Sequence, residues 1–426
     1  MEGSSAVERA ALVGLVTSST AEDDQRSLDE LAGLATAAGA SVVMRMVQER
    51  SRPDPATFIG SGKVRTLAAA CAEAEVDVVI FDNELSPAQL RQIEAGVERR
   101  VIDRTQLILD IFARRARTSE GKLQVELAQL KYLLPRLVGS SAALSRLGGG
   151  IGTRGPGETK LEVDRRRIRA RIASIQGSIE HVRQRRSQLR ERRHKQSVPT
   201  VALVGYTNAG KTTLFNRLTH SSAVTSDALF VTLDPLVRRV RLVDRRELLV
   251  SDTVGFIDRL PHALVAAFAA TLEEVADADV ILHVTDASSA DWPRHVAAVT
   301  RVLDEVGAGD VPTIAVFNKI DAIGTAERRR LRESFPDAAF ISAATAEGID
   351  DLLATVASKL ALDTRRVTLT FDSDSDRDRR QIRRLYRVGR VVSHVAADGR
   401  EVIEADVPRR LLDHLATMDT EDDARG

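Results

Sequence analysis

Residues 201–219 read VALVGYTNAGKTTLFNRLT, and the fold turns on them. Val201 to Val204 is a short apolar run suited to a buried strand; residues 205–210 form a loop bounded by glycines, and Lys211, Thr212 and Thr213 open a helical pattern. Gly205, Gly210, Lys211 and Thr212 occupy the fixed positions of the G-x-x-x-x-G-K-[ST] phosphate loop. Glycines let the backbone curl, so that the N–H groups of Tyr206, Thr207, Asn208 and Ala209 can turn inward on phosphate oxygens while the new helix adds its positive end. Lys211 is expected to reach the β- and γ-phosphates, and the Thr212 hydroxyl to ligate Mg2+.

Further motifs downstream identify the rest of the ligand. Asp252-Thr253-Val254-Gly255 follows the apolar run Leu248 to Ser251. Asp252 can hold the magnesium ion through water, and the Gly255 N–H can meet the γ-phosphate. Asn318-Lys319-Ile320-Asp321 follows the run Thr313 to Phe317. A carboxylate at Asp321 can accept both N1–H and the 2-amino hydrogens of guanine; adenine offers no such pair, and sites of this kind discriminate by roughly 10⁴ or more. Asn318 braces the pocket, Lys319 lies along the ring, and the N–H groups of Ser342-Ala343-Ala344 can donate to guanine O6. Together these elements make GTP the substrate and GDP the product. Phe256 stands where a glutamine would orient the attacking water, so that task falls to backbone, another side chain or a partner, and slow turnover alone, stimulated by whatever binds the switches, is expected. Packing of the segment is the plainer role for Phe256, and both can hold.

The whole chain sets outer bounds. At 426 residues it is long enough for several domains, and 61 basic residues against 61 acidic ones leave no net charge, so nucleic-acid affinity must come from local patches. The single Cys71 excludes an internal disulfide framework. No apolar run approaches a membrane helix and no signal peptide opens the chain, which together with Cys71 points to a soluble protein of the reducing cytoplasm.

Residues 1–115 read as a small α/β domain, with strands at Leu12 to Thr17, Ser41 to Val47 and Val76 to Phe81 and helices at Leu28 to Ala38, after Ser86-Pro87 and from Gln106 to Arg114. Gly60-Ser61-Gly62-Lys63 fails as a second phosphate loop, because Thr57 and Val64 occupy two fixed positions. Residues 116–196 carry two apolar stripes, Leu123, Leu127, Leu130, Leu134 and Leu137, then Ile168, Ile172, Ile175, Ile179, Val182 and Leu189. These predict a long helical hairpin packed along a narrow seam, with a glycine-rich tip between its helices carrying Arg146 and Arg154. The second helix is strongly basic: a solvated face is the plain explanation, and RNA backbone contact, at Arg146 and Arg154 above all, is the alternative that the shortage of acidic partners favours. Residues 197–363 alternate strands and helices, predicting a mostly parallel, doubly wound sheet with ligands beyond its carboxyl ends. Residues 364–426 read as a small C-terminal α/β domain: strands at Val367 to Phe371, Val388 to His394 and Glu401 to Ala405, a helix over Asp376 to Leu385, a closing helix over Leu411 to Met418, and a tail.

The GTPase motifs, the LDP after Thr232, DTVGF at Asp252 to Phe256 and above all GGGIGTRGPGETKLEVDRRRI from Gly148 to Ile168 resemble the HflX family of translational GTPases. FIGSGKV at Phe58 to Val64 and GKLQVELAQLKYLLPRL at Gly121 to Leu137 are similar to its N-terminal region, and the resemblance spans about residues 10–410. It implies binding of the large ribosomal subunit by a monomer, with the hairpin tip on ribosomal RNA, subunit-stimulated hydrolysis, and splitting of stalled ribosomes under stress. It implies a cytoplasmic protein, a peripheral membrane association being the alternative. The segment Phe230-Val231-Thr232-Leu233-Asp234 also takes its role from the resemblance: Thr232 completes the Mg2+ shell and senses the γ-phosphate, with Thr225 as competitor. Lys211, Thr232 and Gly255 are then the groups acting at the reacting phosphate. Leu236 and Val237 depart from the polar residues expected there, which bears on the mobility of the switch. Two other readings stay open: an ATP-driven RNA remodeller working through the N-terminal region, and a nucleotide-gated scaffold.

Overall fold

The computed structural model describes residues 7–16, 21–137, 160–196, 198–223, 229–230, 232–233, 236–242, 246–258, 269–361, 364–397 and 399–408. Arg146, Arg154, the glycine-rich tip, Thr225, Val231, Asp234 and the closing helix predicted over 411–418 lie outside them. The chain divides into two units: among the described residues the first runs to His181 and also holds 229, 230, 232 and 233, and the second holds the rest.

The first unit is built on a parallel sheet of four strands, β1 Arg9–Val16, β2 Ser41–Glu49, β3 Val78–Phe81 and β4 Arg100–Asp103, in the order β2-β1-β3-β4. β3 reads VVIF and is buried throughout, as a strand covered on both faces must be. Helices Ala21–Ala37, Ser61–Glu73, Pro87–Val97 and Arg104–Arg115 complete the α/β frame. Ser86 caps its helix through a reciprocal pair with Gln89, and Pro87 sits at the first helical position, as the sequence predicts. Gly60, at φ 87°, turns the chain into helix Ser61–Glu73, which accounts for the glycine of the G-S-G-K stretch without a ligand.

Helices Ser119–Arg136 and Lys160–Gln196 match the two predicted stripes, but the leucines are not the deepest residues. Gln124, Val125, Ala128 and Tyr132 are buried, whereas Leu123, Leu127, Leu130, Leu134 and Leu137 are half-buried. Gly121 is buried on the same helix, so its deepest face mixes small and large residues rather than following the leucines. In the second stripe Ile175 is buried, and Ile168, Ile172, Ile179 and Val182 are half-buried. Arg171 ties the two helices with a fork on Glu126, at 2.7 and 2.8 Å. Arg166, Arg167, Arg169, Arg183 and Arg185 are exposed.

Asp103, fully buried at the end of β4, organises the base of this helix pair. Its Oδ1 accepts the Gln106 N–H at 2.9 Å and the Tyr132 hydroxyl at 2.7 Å. Its Oδ2 accepts the Leu85 N–H at 3.2 Å and Arg136 Nη2 at 3.0 Å. One carboxylate thus caps one helix and anchors the next.

In the second unit β5 Thr200–Gly205, β6 Leu236–Arg241, β7 Glu247–Asp252, β8 Val280–Asp286, β9 Thr313–Asn318 and β10 Ala339–Phe340 form a sheet of order β10-β9-β8-β5-β7-β6, parallel except at β6. Helices Lys211–Thr219, Ala269–Ala276, Trp292–Glu305, Thr325–Ser334 and Ile349–Ala361 alternate with the strands. β6 is a basic edge strand in which Val240 alone is fully buried, and it begins with Leu236, packed against the core, and Val237. The predicted doubly wound, mostly parallel sheet is therefore what the chain forms. Beyond it, β11 Thr364–Asp372, β12 Arg390–Ala397 and β13 Arg400–Pro408 make an antiparallel sheet ordered β11-β13-β12, whose core residues Ile403, Ala405 and Val407 pack with Ile382 and Leu385 of helix Asp376–Val388. Among the described residues no helix is long and apolar enough to cross a membrane.

Removing the anchor should be costly. Asp103→Ala leaves Arg136 without its buried partner and is expected to destabilise the first unit by about 3–5 kcal/mol. Tyr132→Phe, losing one hydrogen bond, should cost about 1–2 kcal/mol. Urea unfolding of the full chain reads both as shifts of the transition reported by the N-terminal unit.

Candidate functional site

The motif residues collect at the carboxyl ends of β5, β7, β9 and β10, the edge where parallel sheets bind ligands. Gly205 ends β5 opposite Val284, and a Cβ there would strike the Val284 carbonyl oxygen. Gly210 opens the next helix at φ 89°, and a Cβ there would strike the Asn318 amide nitrogen. Both glycines are thus required by close approach as well as by turn geometry. Lys211 is buried, with Nζ donating to the Gly205 and Tyr206 carbonyls at 3.0 and 2.9 Å. Burial pulls its ammonium down to about 8 against the opposing attraction of Asp252. His283, buried on β8, is held down to about 4 by desolvation and by Lys211, and is therefore neutral.

Asp252 is fully buried at the end of β7 and accepts the Thr212 hydroxyl at 2.8 Å. A hydroxyl and a carboxylate oxygen side by side are hard donors of the kind Mg2+ prefers. Thr253 is turned away from them, donating to the Leu203 carbonyl at 2.7 Å, and Val254 is buried. Gly255 lies hard against the phosphate loop: a Cβ would come within 2.8 Å of Thr207 Cγ2 and 3.2 Å of Lys211 Nζ. Phe256 is 1% exposed, which confirms the packing role. Its carbonyl accepts the Thr207 N–H at 2.7 Å and its own N–H donates to the Gly205 carbonyl at 3.1 Å.

Phe230, Thr232 and Leu233 group with the first unit rather than with Thr212 and Asp252. Phe230 is buried at φ 58° with its ring edge-on to Phe112 at 4.7 Å, a contact no sequence pattern announces.

At the other end of the site Asn318, 2% exposed, bridges two loops. Its Nδ2 donates to the Ala209 carbonyl at 2.8 Å, and its Oδ1 accepts the Ala343 N–H at 2.9 Å. That second bond corrects one expectation: the Ala343 N–H is already engaged, and the Ser342 N–H donates to the Glu347 carbonyl at 2.9 Å, so Ala344, which is exposed, is the member left to face a base. Lys319, at φ 63°, pairs with Asp286 at 2.7 Å. Ile320 is buried, and Asp321 is exposed in the short turn Ile320–Ala322. Arg217 was not legible as a site residue; it donates to the Ala343 and Ala344 carbonyls at 3.3 and 2.6 Å. The side chain of Tyr206, from within the loop, forms a further cluster with Asp258, Arg294 and His295, which no motif marks.

Residues 25–113 match the family described as GTP-binding GTPase N-terminal, residues 115–193 the GTP-binding GTPase middle region, and residues 200–319 the 50S ribosome-binding GTPase family. The chain is 46% identical to the GTPase HflX of Escherichia coli over 383 residues, 89% of each chain. It is 47% identical to the GTPase HflX of Caldanaerobacter subterraneus subsp. tengcongensis over 371 residues, 87% of this chain and 85% of that one. The chain belongs to the HflX family of GTPases. A solved relative by structure is a GTP-binding protein of Sulfolobus solfataricus in complex with GDP, 23% identical, with a TM-score of 0.45 over 83% of this chain and 98% of that one. As an HflX-family member with a phosphate-loop GTPase domain, the chain is a GTP hydrolase that binds GTP and GDP.

The Lys211 shift has a measurable consequence. Bound phosphates restore the ammonium, so above pH 8 the free protein must take up a proton to bind nucleotide. GDP affinity should therefore hold below pH 8 and fall as pH rises beyond it, approaching tenfold per unit, about 1.4 kcal/mol. Calorimetry in buffers of different ionisation enthalpy should register proton uptake at pH 8.

Proposed function

We propose that this GTPase binds the large ribosomal subunit and uses GTP binding and hydrolysis as a switch that splits or rescues stalled ribosomes in the cytoplasm. The observation that carries this reading is the convergence of the phosphate loop, D-T-V-G, N-K-I-D and S-A-A on one sheet edge, tied by Asn318, in a chain whose GTPase region matches a 50S ribosome-binding family.

In the reaction water attacks the γ-phosphorus, the bond to the β–γ bridging oxygen breaks, and GDP leaves with phosphate. Lys211 and the amino end of the helix it opens neutralise the phosphate charge, the Thr207 and Ala209 N–H groups being engaged by the Phe256 and Tyr206 carbonyls, and the Gly255 N–H and Thr232 hold the γ-phosphate end. Thr212 and Thr232 would hold Mg2+ directly and Asp252 through water; the ion supplies charge shielding of the phosphate oxygens. Asp321 selects guanine, Lys319 covers the ring and Ala344 meets O6. Phe256 has no group to orient water, so the subunit completes the site. Loss of the γ-phosphate releases Thr232 and Gly255, and the basic helix with Arg146 and Arg154 at its tip carries the signal to ribosomal RNA.

Asp321→Asn should abolish the preference for GDP over IDP while sparing the phosphate contacts; a surviving preference would contradict the pocket. In sedimentation with large subunits, a non-hydrolysable GTP analogue should retain the protein and GDP should release it. Arg146→Ala with Arg154→Ala should lose that retention with nucleotide affinity intact. Binding indifferent to nucleotide would remove the switch.

A further inference from the structure

We propose that Tyr206 and Arg294 are positioning residues for GTP hydrolysis, holding Asp258 and through it the backbone of Gly255 and Phe256 against the phosphate loop. The inference rests on reading Gly255 as the γ-phosphate donor. The segment that follows Gly255 is fixed to the loop first by the two-bond bridge of Phe256 with Gly205 and Thr207. Two residues on, the Asp258 N–H donates to the Tyr206 hydroxyl at 2.8 Å. The Asp258 Oδ2 in turn accepts Arg294 Nε at 2.9 Å and also pairs with Arg294 Nη2, so that two guanidinium N–H groups converge on one carboxylate oxygen in a charge-assisted contact. The Tyr206 ring is itself held, stacked on His295 with centroids 3.9 Å apart and planes at 16°. Arg294 and His295 both belong to helix Trp292–Glu305.

Residue 206 therefore works in two directions. Its backbone lies within the loop that cradles phosphate, and its side chain reaches the far end of the segment that carries Gly255. Between these fixed points Gly255 lies hard against the loop, where even a methyl group would collide with Thr207 and come within 3.2 Å of Lys211 Nζ. Because Phe256 brings no hydrogen-bonding side chain to the reaction, catalysis from this segment falls to backbone placement, and a misplaced donor loses much of its worth. Tyr206 and Arg294 supply that placement through one shared residue.

The test uses the full chain, with single-turnover hydrolysis at saturating GTP and GDP affinity measured separately. Tyr206→Phe keeps the ring and removes the hydroxyl; it should slow hydrolysis about five- to tenfold, the worth of one hydrogen bond, with GDP affinity within about twofold. Arg294→Ala should slow it by a similar factor. The double variant should be little slower than the slower single one, because both act through Asp258. Parent-like hydrolysis by Tyr206→Phe, multiplicative losses in the double variant, or equal losses in hydrolysis and GDP affinity would each overturn the proposal. Gly255→Ala separates the two readings. If it hydrolyses GTP normally, the Gly255 assignment is wrong; if it is slow while Tyr206→Phe is not, the positioning role alone is wrong.

Discussion

The side chain of Asn318 is the constraint on which the site depends. With one amide it holds the Ala209 carbonyl of the phosphate loop and the Ala343 N–H of the S-A-A loop, from the end of a strand between β8 and β10. Buried amides of this kind leave costly unsatisfied groups if any partner is lost. Gly210 is part of the same arrangement, because any side chain there would occupy the Asn318 amide position. The phosphate end and the base end of the nucleotide site are thus one object. Arg217, reaching from the phosphate-loop helix to the Ala343 and Ala344 carbonyls, adds a second tie between them.

How far the sequence was legible follows from where information is local. Strands β5, β7 and β9 are apolar runs that end in motif residues, so both the sheet and the site edge could be read directly. β6 could not: of its residues LVRRVR only Val240 is fully buried, and an edge strand with charged side chains carries little period-two signal. Helix Thr325–Ser334 escaped for a similar reason, with Leu331 its one fully buried residue among charges. The leucine stripe found the correct helix but not its deepest face, which includes Tyr132, drawn in by its bond to the buried Asp103. Motifs also name residue types rather than spare hydrogen bonds, so the engagement of the Ala343 N–H and the cluster around Tyr206 appeared only with coordinates.

Phe256 shows how one substitution reorganises a site. A glutamine there would face the reacting water, whereas this phenylalanine is buried and its backbone is spent on a bridge to Gly205 and Thr207. The Lys211 ammonium is desolvated and close to Gly255, and a bound phosphate would offset the cost of its burial. Binding is thereby well provided for within the chain. For the attacking water, the buried Phe256 supplies no orienting group.

Single-turnover GTP hydrolysis, measured alone and with isolated large or small ribosomal subunits, bears most directly on a partner-completed GTPase. Acceleration well beyond about tenfold by the large subunit, and none by the small one, is the expected result. Equal rates in all three mixtures would contradict it.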